Sequence, residues 1–253
     1  SRVPGPAEPG KELSHWWCQY LAGVQPTPEP DQDQVVRTAE LFCGPGGLAL
    51  GVKQACRELG YRFSSRLAID MDDRAVDVYR NNHGTELTLG GQQGSVKNLL
   101  DHDKVLDSGE NARFRRAPSI TDKTVDALSG EIDLLLAGPP CQGHSSLNNF
   151  TRRDDERNAL YLTVPAFAVA AGIPMIIIEN VVTVTSDRSG VVKTAKGLFR
   201  NNNYIVEELT LRANRLGWPQ TRSRHFMVAR HKDFGELLSL ATVSDELTVK
   251  AED

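Results

Sequence analysis

From Val35 onward the chain alternates short apolar runs ending in Gly, Asp or Pro with segments whose apolar side chains recur every three or four positions. The runs Thr38 to Phe42, Arg66 to Ile69, Asp133 to Leu136, Met175 to Ile178 and His225 to Ala229 predict strands. Leu48 to Leu59, Arg74 to Asn82, Asn158 to Ala171 and Val191 to Asn201 predict helices. Met175 to Ile178 is apolar at every position, the pattern of a strand covered on both faces. Such alternation predicts an α/β fold with a doubly wound, mostly parallel sheet.

Two stretches fall outside that pattern. His102 to Thr121 is polar and without period, which predicts an insertion or a mobile loop bearing a small basic cluster, Arg113, Arg115 and Arg116. Residues 1–34 set prolines at 4, 6, 9, 26, 28 and 30 around an aromatic patch of Trp16, Trp17 and Tyr20, and predict an arm. One domain is expected over 35–232, followed by a polar tail at 233–253.

Composition narrows the chemistry only slightly. A net charge of −4 carries no overall signature of a nucleic-acid partner, so such a surface would have to be local. Cys18, Cys43, Cys56 and Cys141 form no CxxC pair and no zinc-type spacing with His, so no metal is expected and a reduced intracellular setting is. That setting is cytoplasm in a bacterium or nucleus in a eukaryote. No run of 18 apolar residues and no charged-then-apolar leader occurs, so no membrane partner is expected.

The first predicted strand enters Phe42, Cys43, Gly44, Pro45, Gly46, Gly47, Leu48 and Ala49, and a helix begins at once. Glycines there let the backbone turn sharply and bring the first N–H groups of a helix up to a ligand. Gly44, Gly46 and Ala49 also satisfy the loose G-x-G-x-x-A spacing. Asp70, closing the second strand, is placed to accept from ribose hydroxyls, or instead to cap the helix near Asp73. Cys141 follows two prolines after the strand at Asp133 to Leu136. It reads either as a thiol at the functional edge of the sheet or as a small buried apolar residue. Glu179 and Asn180 follow Met175 to Ile178 toward the same edge, as site residues or as caps of the next element. Arg222 and Arg224 alternate into the last strand, so both point to one side, to hold a phosphate or base edge or to charge a solvent-facing edge.

Taken together, these segments resemble the DNA cytosine-C5 methyltransferases. LFCGPGG, AIDMDD, AGPPCQGHS, DDERNAL, IIENV and GWPQTRSRHFMVAR are similar to six family motifs, in family order, over roughly Glu40 to Arg230. The resemblance implies a Rossmann-like fold that binds S-adenosylmethionine and releases S-adenosylhomocysteine. Its cofactor site would use Phe42, Gly44, Gly46, Gly47, Leu48, Asp70, Met71, Ser95, Val96, Pro139, Asn158 and Leu160. Ser95 stands where the family commonly has an Asp. Cys141 would be the nucleophile, Glu179 would engage the cytosine Watson–Crick edge, and Arg222 and Arg224 would complete the catalytic set. Gln142, Gly143, Ser145, Asn180, Val181 and Gln220 would meet a DNA substrate whose target base is flipped out. Asn180 would also support the loop.

The family usually continues into a target-recognition region and a final Gly-Asn helix, whereas 23 polar residues follow Arg230. A trimmed catalytic region, a split enzyme with a second polypeptide, and a rearranged enzyme with those parts elsewhere are all compatible with this. In each case the chain alone is expected to bind DNA weakly. Rival readings are a tRNA cytosine-C5 methyltransferase and a catalytically silent DNA-binding relative. An NAD-dependent dehydrogenase would leave the Pro-Pro-Cys and Glu-Asn-Val segments unexplained.

Overall fold

The structure, a computed structural model, describes residues 31–101, 105–140, 156–186, 189–216 and 219–235. Among them, seven strands build the central sheet: β1 (Asp31–Leu41), β2 (Tyr61–Ile69), β3 (Leu87–Leu89), β4 (Leu134–Ala137), β5 (Met175–Val181), β6 (Tyr204–Arg212) and β7 (Ser223–His231). Across the sheet they stand in the order β6, β7, β5, β4, β1, β2, β3. The pairs on either side of β1, β2 with β3, and β4 with β5, are parallel. β7 runs antiparallel to both β5 and β6.

Successive strand residues point to opposite faces, and this divides the core. Ala39 and Leu41 of β1, Leu135 of β4 and Ile176 and Ile178 of β5 pack with Phe167 and Phe199, which belong to α3 (Glu156–Ala170) and α4 (Val191–Arg200). Ala68, Leu134 and Leu136 face the other way, against Ala49 of α1 (Gly47–Leu59) and Val76 and Tyr79 of α2 (Asp73–His83). Helices on both faces make the sheet doubly wound, and the predicted mostly parallel arrangement holds. All four residues of β4 are buried, and each of its leucines, Leu134, Leu135 and Leu136, contributes about 1.5–3 kcal/mol. From β1 the chain winds outward through β2 and β3, then returns to place β4 on the other side of β1. The carboxyl ends of β1 and β4 thus flank the crevice where open α/β sheets place their ligands.

Several expectations need correction. β1 begins at Asp31, inside the predicted arm, and ends at Leu41; Phe42 has already left the strand with φ 55. β3 and β6 were not predicted. The first has three residues, and the adjacent Glu207 and Glu208 obscure the alternation of the second, whose outer half is only partly covered. β5 is not sealed on both faces: Ile176 and Ile178 are fully buried, while Met175 and Ile177 are half-buried. The helices described on that side pack elsewhere, α1 on β1, β2 and β4, and α2 on β2 and β3.

Within His102 to Thr121, the described part is docked rather than loose. The Gly109 N–H donates to Thr194 Oγ1 at 3.1 Å, Asn201 Nδ2 donates to the Ala112 carbonyl at 2.8 Å, and Ala112 is fully buried. Gly197 of α4 admits this close approach, because a Cβ there would run into the Gly109 and Glu110 carbonyls. Backbone contacts of this kind leave no apolar period in the sequence.

Candidate active site

The turn after β1 is fixed by backbone geometry. Phe42 adopts a left-handed conformation that costs a side-chain-bearing residue of order 1 kcal/mol or more, a strain that tends to cluster at ligand sites. The Cys43 N–H donates to Ile69 O at 3.0 Å, and Gly46 N–H to Cys43 O at 3.0 Å. Asp70 clamps the turn: Oδ2 accepts from Gly44 N–H and Oδ1 from Asp72 N–H, each at 2.9 Å. The α2 cap is therefore not Asp70 but Asp72, whose side chain accepts from Arg74 N–H. Each Asp70 oxygen retains a lone pair for a further donor. Gly46, expected beside the cofactor, has φ 91, and a Cβ on it would strike the rings of His83 and Tyr79. Its need for glycine is thus set by α2.

The other wall comes from β5 and β7. Glu179 stands on β5 one residue beyond the last position paired with β4. It meets Arg224 Nε at 2.8 Å and Arg222 Nη2 at 3.9 Å. The two arginines lie two positions apart and approach from one side, as alternation requires. Arg224 and Glu179 are each about a quarter exposed, while Arg222 is 57% exposed. Asn180 points to the opposite face and is buried. Its Nδ2 donates to the Pro139 carbonyl at 3.1 Å and its Oδ1 accepts from Val181 N–H at 2.8 Å. Its amide is thus engaged with the chain and ties β5 to the Pro139 carbonyl.

Between these walls lies a cleft of about 520 Å³ lined by Phe42, Gly47 and Leu48 on one side and Glu179, Arg222 and Arg224 on the other. Leu211, Leu216 and Phe226 add apolar surface. Sequence reasoning missed these three together with β6. It also missed Glu40, which lines the cleft with 2% exposure. Its signal was a charge set in the apolar run Ala39 to Phe42 directly before the glycine turn. Burial pushes the Glu40 carboxyl up to about 8, opposed by the Tyr79 hydroxyl and Ala49 amide that approach it; Oε2 has no partner among the described residues. A glycine turn open to a helix start, a clamped Asp70 with spare acceptor capacity and an orphaned buried carboxyl together fit an adenosyl amino acid.

The remaining expected residues are more dispersed. Met71 is 64% exposed just past β2. Gly94 packs so closely on the Asp70 carbonyl that no side chain fits, which anchors Ser95 beside the end of β2. Val96 is buried in the core, so its side chain is packing, and Pro139 is buried as well. Leu160 and Val181 are half-buried, and Gln220 is exposed. Cys141, Gln142, Gly143, Ser145 and the Asn158 side chain lie outside the described residues. Among the described residues no group of three or more potential metal ligands occurs, and no helix is long and apolar enough to cross a membrane.

Comparison with known proteins bears on this geometry. The family model described as C-5 cytosine-specific DNA methylase matches residues 36–108 and 111–252. The chain is 34% identical over 194 residues to the type II methyltransferase M1.BsuMI of Bacillus subtilis, covering 77% of this chain and 42% of that protein. It is 31% identical over 201 residues to DNA (cytosine-5)-methyltransferase 1 of Mus musculus, covering 77% of this chain and 11% of that protein. The chain therefore spans less than half the length of these relatives. Among solved structures, S. pombe Dnmt2 methyltransferase superimposes with a TM-score of 0.58 at 21% identity, over 87% of this chain and 57% of that one. The Entamoeba histolytica methyltransferase EhMeth gives 0.53 at 21% identity, over 82% and 57%.

Proposed function

Because the chain belongs to the C-5 cytosine-specific DNA methylase family, we propose that it is the catalytic part of an enzyme that methylates carbon 5 of cytosine in DNA. The observation that carries the reading is Glu179, held by Arg224 at 2.8 Å and facing the glycine turn across one cleft. A carboxylate and a nucleoside-type turn on opposite walls can grip a flipped base and a methyl donor at once. Adenosylmethionine, when bound, supplies an electrophilic methyl group.

Carbon 5 belongs to an electron-poor conjugated ring and attacks poorly until the ring is made electron-rich. The Cys141 thiolate performs that activation by adding to C6, which moves the C5–C6 π pair onto C5. Glu179 holds a proton at N3, so the charge pushed into the ring is neutralised, and Arg224 keeps the carboxyl oriented. After methyl transfer has used that pair to bond the methyl group, loss of the C5 proton to a base frees the C5–H pair to re-form the C5–C6 double bond, and the C6–S pair leaves with the Cys141 thiolate. Asn180 steadies Pro139, two residues before the thiol. Phe42 and Leu48 exclude water, Asp70 accepts from ribose hydroxyls, and the exposed Arg222 reaches the phosphates. Target recognition would be supplied by a separate polypeptide or a further segment.

The test incubates the chain with radiolabelled adenosylmethionine and DNA carrying 5-fluorocytosine, whose fluorine blocks release. A covalent adduct abolished by Cys141→Ser and strongly reduced by Glu179→Gln is expected. An adduct that survives Cys141→Ser refutes the assigned nucleophile, and an adduct with tRNA but none with DNA moves the substrate to RNA.

A further inference from the structure

On β5, Ile176 and Ile178 enter the core of α3 and α4, as do Met227 and Ala229 on β7 and Tyr204 and Val206 on β6. Alternation therefore turns Met175, Ile177, Phe226, Val228 and Ile205 to the opposite side of the sheet. Register sets them side by side, with Ile177 against Val228 and Arg230 between Met175 and Ile205. Met175 and Ile177 extend the apolar cluster beneath α1 and α2, but those two helices pack on β1, β2, β3 and β4. Beyond them the four apolar side chains of β5 and β7 are half-buried and Ile205 is 43% exposed. A contiguous apolar patch of this kind marks a docking surface. Its three strands, about 4.8 Å apart, give a floor about 10 Å wide, the width of one helix.

We propose that residues 12–21 cover this patch as a helix, so that the chain ahead of β1 packs beside α1 and completes this face of the sheet. These residues lie outside those described. In the sequence, Leu13, Trp16, Trp17, Tyr20 and Leu21 recur at i, i+3, i+4, i+7 and i+8, the stripe of a helix with one apolar face, and Glu12, His15 and Gln19 fall on the other side. Gly23 follows where such a helix stops. The three aromatic side chains can each bury about 150–250 Å². Ten helical residues rise about 15 Å, roughly the length of β5 from Met175 to Glu179. Nine residues, 22–30, then lead to Asp31 at the start of β1. With prolines at 26, 28 and 30 they extend at about 3.1 Å each, roughly 28 Å in all. β7 lies three strands from β1, about 14 Å away. The tether therefore reaches the patch and holds the segment there at a high effective concentration, which favours it over a second copy of the chain.

Fluorescence of the full chain tests this. Trp218→Phe leaves Trp16 and Trp17 as the only tryptophans, and acrylamide should quench them several-fold less than in the urea-unfolded chain. Val228→Lys and Ile205→Lys place a charge in the patch, and each should raise quenching toward the unfolded value and shift emission to the red. Ile205 is already partly exposed, so its substitution keeps the sheet folded, which far-UV circular dichroism checks. Leu59→Lys, at a position 71% exposed at the end of α1 and outside the patch, should change nothing. Tryptophans as open as in the unfolded chain overturn the proposal, as does protection that survives either patch substitution in a folded chain. Protection that fades on dilution also overturns it and gives the patch to a second copy.

Discussion

Glu40 and Glu208 are carboxyls on strands of the same sheet, drawn away from water to different extents and answered in opposite ways. Glu40, on β1, meets a hydroxyl and an amide and is pushed up to about 8. Glu208, on β6, accepts from His225 Nε2 at 3.2 Å and from Lys196, and these partners hold it down at about 2 despite partial burial. The difference lies in the partners: a lysine ammonium and an imidazole nitrogen answer one group, and the other meets only a hydroxyl and an amide. The same contrast runs through the two halves of the cleft. On the β1–β2 side, positions are set by backbone turns and glycines; on the β5–β7–β6 side, they are set by ion pairs between side chains.

The hardest test of that contrast is on the backbone side. Gly94→Val places a side chain against the Asp70 carbonyl, and backbone cannot move aside as a flexible side chain can. A loss of about 3 kcal/mol or more is expected in urea unfolding, together with loss of adenosylmethionine binding, because Asp70 and the Gly44 turn shift as one. A loss below about 1 kcal/mol would show that the turn is not set by this packing.

Next in size is the pH dependence of the two carboxyls. Glu208 is depressed when folded, so its stabilisation is present above about 4.5 and lost as pH falls through 4.5 toward 2. The bound is about 3 kcal/mol, reduced by screening at a quarter-exposed group. Glu40 is raised when folded, so its sign is reversed: its contribution is intact below about 4.5 and is lost as pH rises through 8. Unfolding free energies from pH 2 to 9 should show Glu208→Gln flattening the acid limb and Glu40→Gln the alkaline limb. The idea fails if either substitution flattens the other's limb.

What the sequence revealed follows the same division. Strands whose periodicity is strong, and the glycine turn whose chemistry is local, were legible, as were Arg222 and Arg224 on one side. Glu40 was hidden because a lone acid in a strand reads as exposed, and its burial depends on α1 and α2 closing over β1. Asn180 was assigned both to substrate and to support of the loop, the latter from the family resemblance alone, because its tie to Pro139, 41 residues away in sequence, leaves no local signal. The docking of Gly109 on α4 was illegible for a similar reason, since it rests on backbone carbonyls meeting the distant glycine at Gly197.

The smallest expected effects separate the two arginines. Arg224→Met removes a partner 2.8 Å from a carboxylate about a quarter exposed, so a stability loss of about 1 kcal/mol is expected in urea unfolding. Methyl transfer should fall on the order of 100-fold, because Glu179 loses its orientation. Arg222, 57% exposed and 3.9 Å away, should change stability by less than about 0.5 kcal/mol when replaced by Ala. Its contribution is to DNA: Arg222→Ala takes one cation away from the phosphates and so reduces the slope of log affinity against log salt by about 1. Arg224→Met should leave that slope unchanged, since its guanidinium is turned inward to Glu179. If both substitutions lower the slope equally, the ion pair opens when DNA binds, and the side-chain half of the cleft is then assembled by the substrate instead of standing ready for it.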